Sequence, residues 1–442
     1  MGILSDGKEI MKHNVSLDKT KLRFLDLFAG AGGLSEGFIR AGFTPVAHVE
    51  MDSSACFTLR TRAAYHWLCK QNQKEIYEQY LNGEIDRNAL YSKVPEEVID
   101  SVIEAAIGPE TRKKIIEKID AMLDGNKLDL IIGGPPCQAY SLAGRSRDSN
   151  KMLGDKRNYL YLEYVEFLKK YEPSYFVFEN VTGLLSAKDI DGVDHFLKVK
   201  KAFNDCGYAV EYKVLNAKDY GVLQNRKRII LIGKKGVNAE GFYPKLEPQK
   251  IIFKVKDVFS DLPVIKSGCG TYGPTKVLKS EADSYLVTAK IKTVDSNTVT
   301  YHISRYNNDR DLKIYKTAVE EWNAGGVRIK YNELDSGLQT HKNKDVFTDK
   351  FKVVGSNLSY SQTVVAHIAK DGHYYIHPDI NQNRSITPRE AARLQSFPDD
   401  FYFESKNGKP SKSVAFRQIG NAVPVLLAEK VAEALKKEMT VN

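Results

Sequence analysis

Leu22-Arg23-Phe24-Leu25-Asp26-Leu27-Phe28 runs directly into Ala29-Gly30-Ala31-Gly32-Gly33. The first seven residues read as a strand, and residues 34–41 continue as a helix with Gly42 as its stop. Strand, glycine-rich turn and helix make up a nucleotide-binding crossover. The glycines let backbone approach a ligand closely, and the helix start offers unpaired N–H groups. The next strand, residues 45–49, ends at Glu50, 20 residues past Gly30. A carboxylate at that separation is placed to accept hydrogen bonds from ribose hydroxyls. The pattern points to an adenosine-bearing cofactor without saying which one.

A second apolar run, residues 128–132, is stopped by Gly133-Gly134-Pro135-Pro136, and the residue that follows is Cys137. Ligands of open α/β sheets bind outside the carboxyl ends of the strands. Cys137 is therefore a candidate nucleophile, against the plainer reading of a small cysteine buried behind a turn. Residues 142–159 form a polar stretch with Gly144, Arg145, Arg147 and Arg157, expected to be a mobile loop beside Cys137 with charges suited to phosphates. A helix over 160–171 leads to a strand over 174–178 that ends at Glu179-Asn180-Val181. Glu179 is a second candidate catalytic group at this edge, or else a helix cap or solvated acid. A helix near 192–206, a strand over 208–215 and a strand over 229–233 follow. Arg226 and Arg228 alternate at the start of the last strand, which places both on one face. Such a pair suits a phosphate or a base carbonyl, and equally a structural ion pair. Strands and helices alternating from 22 to 233 predict a doubly wound, largely parallel α/β sheet.

From 246 the texture changes to short β-like runs broken by Gly, Pro, Ser and Asn, such as Ser267-Gly268-Cys269-Gly270. This predicts a second, smaller, β-rich domain over 246–382, after a first domain over 1–245 whose opening 20 residues are a polar extension. Residues 383–409 read as a bridging segment containing a capped helix, with Thr387 as N-cap, Pro388 first and Glu390 completing a capping box. The final stretch, 410–442, ends in an amphipathic helix that needs a surface for its apolar face, and is expected to return to the first domain. The block 53–125 reads as several helices with solvated charged faces.

Of the 442 residues, 42% are hydrophobic and 27% charged, and the net charge is +9. That balance permits a nucleic-acid partner. No apolar run nears the roughly 20 residues of a membrane helix. The five cysteines (56, 69, 137, 206 and 269) form no CxxC pair, which excludes a zinc-ligand spacing and suits a reducing, cytoplasmic compartment.

Taken in order, Asp26-Leu27-Phe28-Ala29-Gly30-Ala31-Gly32-Gly33, Glu50, Gly134-Pro135-Pro136-Cys137-Gln138, Glu179-Asn180-Val181, Gln224-Asn225-Arg226-Lys227-Arg228, Thr363, the 384–398 segment and Gly420-Asn421-Ala422-Val423-Pro424 closely resemble the DNA (cytosine-5)-methyltransferase family, of prokaryotic modification-methylase type. The resemblance implies a Rossmann-like methyltransferase sheet with a target-recognition domain over 246–382. It implies S-adenosylmethionine, and no metal, held by Phe28, Ala29, Gly30, Gly33, Glu50 and Met51, with Pro136, Leu160, Asn421 and Val423 closing the site. It implies Cys137 as nucleophile, Glu179 on the ring nitrogen 3 edge, Arg228 on the cytosine carbonyl and Arg226 in support. Gln138, Ser141, Arg145, Arg157 and Thr363 are the expected DNA contacts. The expected partner is double-stranded DNA, met by a monomer that is nucleoid-associated if bacterial. Either a restriction endonuclease acts on the same site without a required complex, or the enzyme is an orphan. The alternative on the same fold is cytosine-5 methylation of tRNA. The family's third cofactor-contacting acid has no clear place, with Asp120 and Asp124 as the only candidates.

Overall fold

Strand β1, Arg23–Leu27, is buried along its whole length. In the computed structural model it sits inside a seven-stranded sheet with β2 (Thr44–Glu50), β3 (Val102–Glu104), β4 (Leu130–Gly133), β5 (Tyr175–Asn180), β6 (Tyr208–Asn216) and β7 (Lys227–Lys235), in the order β3-β2-β1-β4-β5-β7-β6. The structure describes residues 22–136, 156–189, 191–236, 240–340 and 348–441. Cys137, Gln138, Ser141 and Arg145 lie outside them, as do the first 20 residues and most of the expected loop over 142–159.

The alternation of side chains explains why this sheet needs helices on both faces. Phe24, Leu130, Ile132, Val177, Ile230 and Ile232 point to one core, shared with Leu34, Phe38 and the terminal-helix residues Val431 and Leu435. Leu25, Leu27, Ile131, Phe176, Phe178 and Leu231 point to the other, shared with Ile115, Ile119, Phe167 and Phe203. Strands β1 to β5 pair in parallel, whereas β7 runs antiparallel to β5 and β6. Chain length dictates that reversal. Only residues 217–226 join β6 to β7, and a parallel return needs a crossover of a dozen or more.

The strand order reverses between β1 and β4, so a crevice opens at their carboxyl ends. Two long-range packings fix its walls. The terminal helix Val425–Val441 lies so close on helix Gly33–Arg40 that a Cβ on Gly37 would come within 2.4 Å of the Glu429 nitrogen. Helix Pro388–Leu394 carries the expected capping box, with the Thr387 nitrogen donating to Glu390 Oε2 at 2.7 Å. All seven of its residues are buried, and Arg393 is neutralised by Asp261 and Asp399.

Residues 246–382 differ from the β-rich expectation. Among the described residues their regular strands are the two-residue pair Thr275–Lys276 and Thr298–Val299, and the longest element is helix Asp309–Gly325. Ile314, Tyr315, Ala318, Val319 and Trp322 follow helical spacing and pack on Phe351, Val353 and Ile376 in a separate small core. The Gly and Asn breaks on either side hide that period. Other residues of this stretch, Val255, Leu286, Tyr301 and Val364 among them, are buried in the core of the main sheet instead.

Candidate active site

The chain leaves β1 through Phe28, whose φ of +58° is a left-handed backbone that few non-glycine residues adopt. Gly30 (φ +56°) and Gly32 (φ +86°) continue the turn. A backbone held in this region costs on the order of 1–3 kcal/mol and persists only where neighbours impose it. Glu50 at the end of β2 is one such neighbour. Its Oε2 accepts from the Gly30 nitrogen at 2.8 Å, and its Oε1 accepts from the Met51 and Asp52 nitrogens, each at 2.8 Å. The spacing read as a ribose contact is thus also a brace that fastens the glycine turn to the second strand.

Glycines elsewhere permit close approach. A Cβ on Gly33 would lie 2.4 Å from the Val423 carbonyl oxygen, so the turn and residues 422–423 form one wall. A Cβ on Gly134 would lie 2.6 Å from Glu179 Oε2, so the carboxylate can stand against the Gly-Pro-Pro turn. Asn180 holds that turn from below, donating to the Pro135 carbonyl at 3.4 Å.

Glu179 lies inside β5, one residue before its end, and Arg228 Nε meets its Oε1 at 2.7 Å across the sheet edge. Burial pushes the Glu179 carboxyl above its ordinary range, and the attraction of Arg228 and Arg226 only partly offsets this. The site therefore holds a carboxyl whose protonated form burial favours, beside a paired guanidinium.

Arg226 departs from its expected role. It precedes β7 rather than lying in it, and its buried guanidinium donates to the carbonyls of Val364 (2.6 Å), Gly420 (3.0 Å) and Ala422 (2.8 Å). It ties residues 364 and 420–422 to the start of β7 and does not line the cavity. Gln224 makes a parallel tie, donating to Leu394 O and accepting from the Val364 nitrogen. Thr363, next to Val364, donates to the Asn225 carbonyl.

A cavity of about 310 Å³ opens at this edge. Phe28, Ala29, Gly30, Gly33, Glu50 and Met51 line one part of it, with Pro136, Asn421 and Val423 nearby and Glu179 and Arg228 on the far side. Leu160, the first residue of helix Leu160–Tyr171, is not among the lining residues, and neither is Arg157. Asp120 pairs with Lys170 and Asp124 caps a helix, so neither supplies a third acid here. Several lining residues were not anticipated. Asp26 lies on the buried strand with neither carboxylate oxygen accepting a hydrogen bond from the described residues, and burial raises its pKa well above the ordinary range. Ala105, Ala106 and Ile107 follow the three-residue β3, and Arg417 comes from helix Lys412–Asn421. The charge of Asp26 within an apolar run was a visible signal. A three-residue strand inside a helical block gave none. Among the described residues no group of three or more His, Cys, Asp or Glu side chains is placed to hold a metal ion.

An open α/β sheet with a strand-order switch, a braced glycine turn and a carboxyl–guanidinium pair on one cavity has the architecture of the open-sheet proteins that take ligands at the carboxyl ends of their strands. The model of the C-5 cytosine-specific DNA methylase family matches residues 22–88 and 103–437, and the chain belongs to that family. It is 40% identical to the type II methyltransferase M.Bpa9945I of Bacillus paralicheniformis over 93% of this chain and 98% of that one. It is 31% identical to the type II methyltransferase M1.HphI of Haemophilus parahaemolyticus over 95% and 88%. Among solved structures, a protein encoded within an E. coli prophage shares the fold with a TM-score of 0.60 at 24% identity, covering 95% of this chain and all of the other. The protein is a C-5 cytosine DNA methyltransferase.

Proposed function

We propose that this enzyme transfers a methyl group from S-adenosylmethionine to carbon 5 of a cytosine flipped out of a specific sequence in duplex DNA. The observation that carries this reading is the single cavity that joins the Glu50-braced glycine turn to the Glu179–Arg228 pair. The residues fit the cofactor. About 310 Å³ lies within the range of small-ligand sites. Glu50 Oε2 accepts one bond and retains a lone pair for a ribose hydroxyl. The buried Asp26 carboxyl lines the same cavity. When bound, the cofactor supplies an electrophilic methyl group.

The chain's residues supply the rest. Carbon 5 of cytosine is a weak nucleophile until a bond at carbon 6 makes the ring enamine-like. Cys137, which directly follows the lining residue Pro136, adds to carbon 6 as thiolate. Electron density moves to the nitrogen 3 edge, where a protonated Glu179 donates a hydrogen bond and proton, and Arg228 holds the cytosine carbonyl. Carbon 5 then takes the methyl group and gives up its proton to a base or water, and the sulfur leaves as the carbon 5–carbon 6 double bond reforms. Arg226 keeps residues 364 and 420–422 in register around this chemistry. Flipping the base costs a few kcal/mol, and residues 246–382 are the reading surface, with Thr363 near the backbone. The enzyme acts as a monomer, and any nuclease sharing its site works separately.

The experiment is incubation with labelled cofactor and either duplex DNA or tRNA. Label at carbon 5 of DNA cytosine, lost in Cys137→Ala, supports the reading. Label in tRNA alone selects the RNA alternative.

A further inference from the structure

Two arginines line the cavity, and one of them has no partner among the described residues. Of the lining acids, Glu50 is engaged by three backbone nitrogens and Asp52 caps its helix through the Ala55 nitrogen. Glu179 is paired with Arg228. Arg417 also lines the cavity and is exposed, and it makes no hydrogen bond or ion pair with the described residues. Its place on the helix is specific. Val414, Arg417 and Asn421 follow each other at three and four residues, so they share one face of helix Lys412–Asn421, and all three line the cavity. Asn421 begins the segment whose Val423 carbonyl packs on Gly33 of the glycine turn. Arg417 therefore stands four residues, about 6 Å of helical rise, before Asn421, the last residue of that helix.

We propose that Arg417 binds the carboxylate of the cofactor's amino-acid tail. This rests on the cofactor reading above and adds a residue to it. With ribose on Glu50, the tail runs toward the glycine turn and residues 421–423. There its carboxylate would meet the Arg417 guanidinium. An arginine fork matches a carboxylate through two parallel hydrogen bonds, which a lysine cannot reproduce.

The test is calorimetry without DNA, using S-adenosylhomocysteine and 5′-methylthioadenosine, which keeps the adenosine and sulfur but lacks the tail. Arg417→Ala should weaken S-adenosylhomocysteine about tenfold, the scale of a partly solvated charge-assisted contact. It should leave 5′-methylthioadenosine unchanged, with Arg417→Lys in between. Equal weakening of both ligands assigns Arg417 a structural role and overturns the proposal. So does an unchanged S-adenosylhomocysteine affinity combined with weaker, less salt-dependent DNA binding, which assigns Arg417 to a phosphate. Failure of the parent protein to bind either ligand overturns the cofactor reading itself, and with it this proposal.

Discussion

Gly33→Ala tests whether the cavity wall depends on contact between the glycine turn and residues 422–423. The new Cβ would sit 2.4 Å from the Val423 carbonyl oxygen, 3.1 Å from Ala422 Cβ and 3.3 Å from Phe397 Cζ. Ordinary contact begins near 3.4 Å, so the backbone of Val423 must retreat by about 1 Å. No flexible side-chain end can absorb that shift, because the nearest atom is a carbonyl whose neighbour, Ala422 O, is gripped by Arg226. Overpacking of this kind costs about 1–3 kcal/mol. The better helix propensity of alanine returns at most about 1 kcal/mol. With an unfolding entropy near 2.1 cal/mol/K per residue, the whole chain has about 0.9 kcal/mol/K, so the melting temperature should fall by only about 1–2 °C. The cavity should suffer more, because Gly33, Ala422 and Val423 all line it. A displacement of about 1 Å in a positioning wall can cost up to about 100-fold in rate. The assays are thermal unfolding and S-adenosylhomocysteine calorimetry, with Gly30→Ala as comparison. Gly30 has open space around its Cβ position and only an unfavourable φ, worth about 1–2 kcal/mol for a left-handed residue. Parent-like ligand affinity in Gly33→Ala would refute the reasoning.

Four further outcomes follow from the geometry. Glu179→Gln should lower kcat by about 10²–10⁴ while leaving cofactor affinity within twofold, checked by single-turnover kinetics and calorimetry. Because the folded-state pKa of Glu179 is raised, its protonated form favours folding below the ordinary value of 4.5, and that contribution is lost as pH rises through the raised pKa. The variant should flatten the stability profile over that window. Arg226→Met strands the carbonyls of Val364, Gly420 and Ala422, and denaturant titration should show a loss of about 3–5 kcal/mol. Arg228→Met should abolish turnover and also lower stability, because it leaves the buried Glu179 carboxyl without its ion-pair partner. Gly37→Ala should loosen the terminal helix, seen as faster amide exchange over 425–441, because its Cβ would meet the Glu429 nitrogen at 2.4 Å.

Local signals made much of this molecule readable. The glycine turn, the capping box at Thr387 and the helix over 160–171 each announce themselves within a dozen residues, and each stands where its pattern places it. The antiparallel β7 follows from a connection too short to cross over. Strand β3 was not readable, since Val102–Glu104 is three residues among strong helix formers, and the cavity residues it positions were missed with it. Arg226 was misread for a different reason. Its three partners lie 138 to 196 residues away, so alternation with Arg228 could not reveal that one guanidinium enters the core while the other stays at the site. The same distance effect hides the helix over 309–325, whose apolar stripe is closed by Phe351 and Ile376.

Glu179 and Cys137 are proposed to act together on one cytosine ring. Duplex DNA carrying 5-fluorocytosine at the target, mixed with enzyme and cofactor, tests it most directly, because fluorine cannot leave as a cation and the adduct persists. The account predicts a denaturation-resistant complex whose mass equals protein plus methylated DNA, mapping to Cys137 and absent in Cys137→Ala. A stable complex formed equally by Cys137→Ala, or turnover with no trapped complex in the parent, would contradict it.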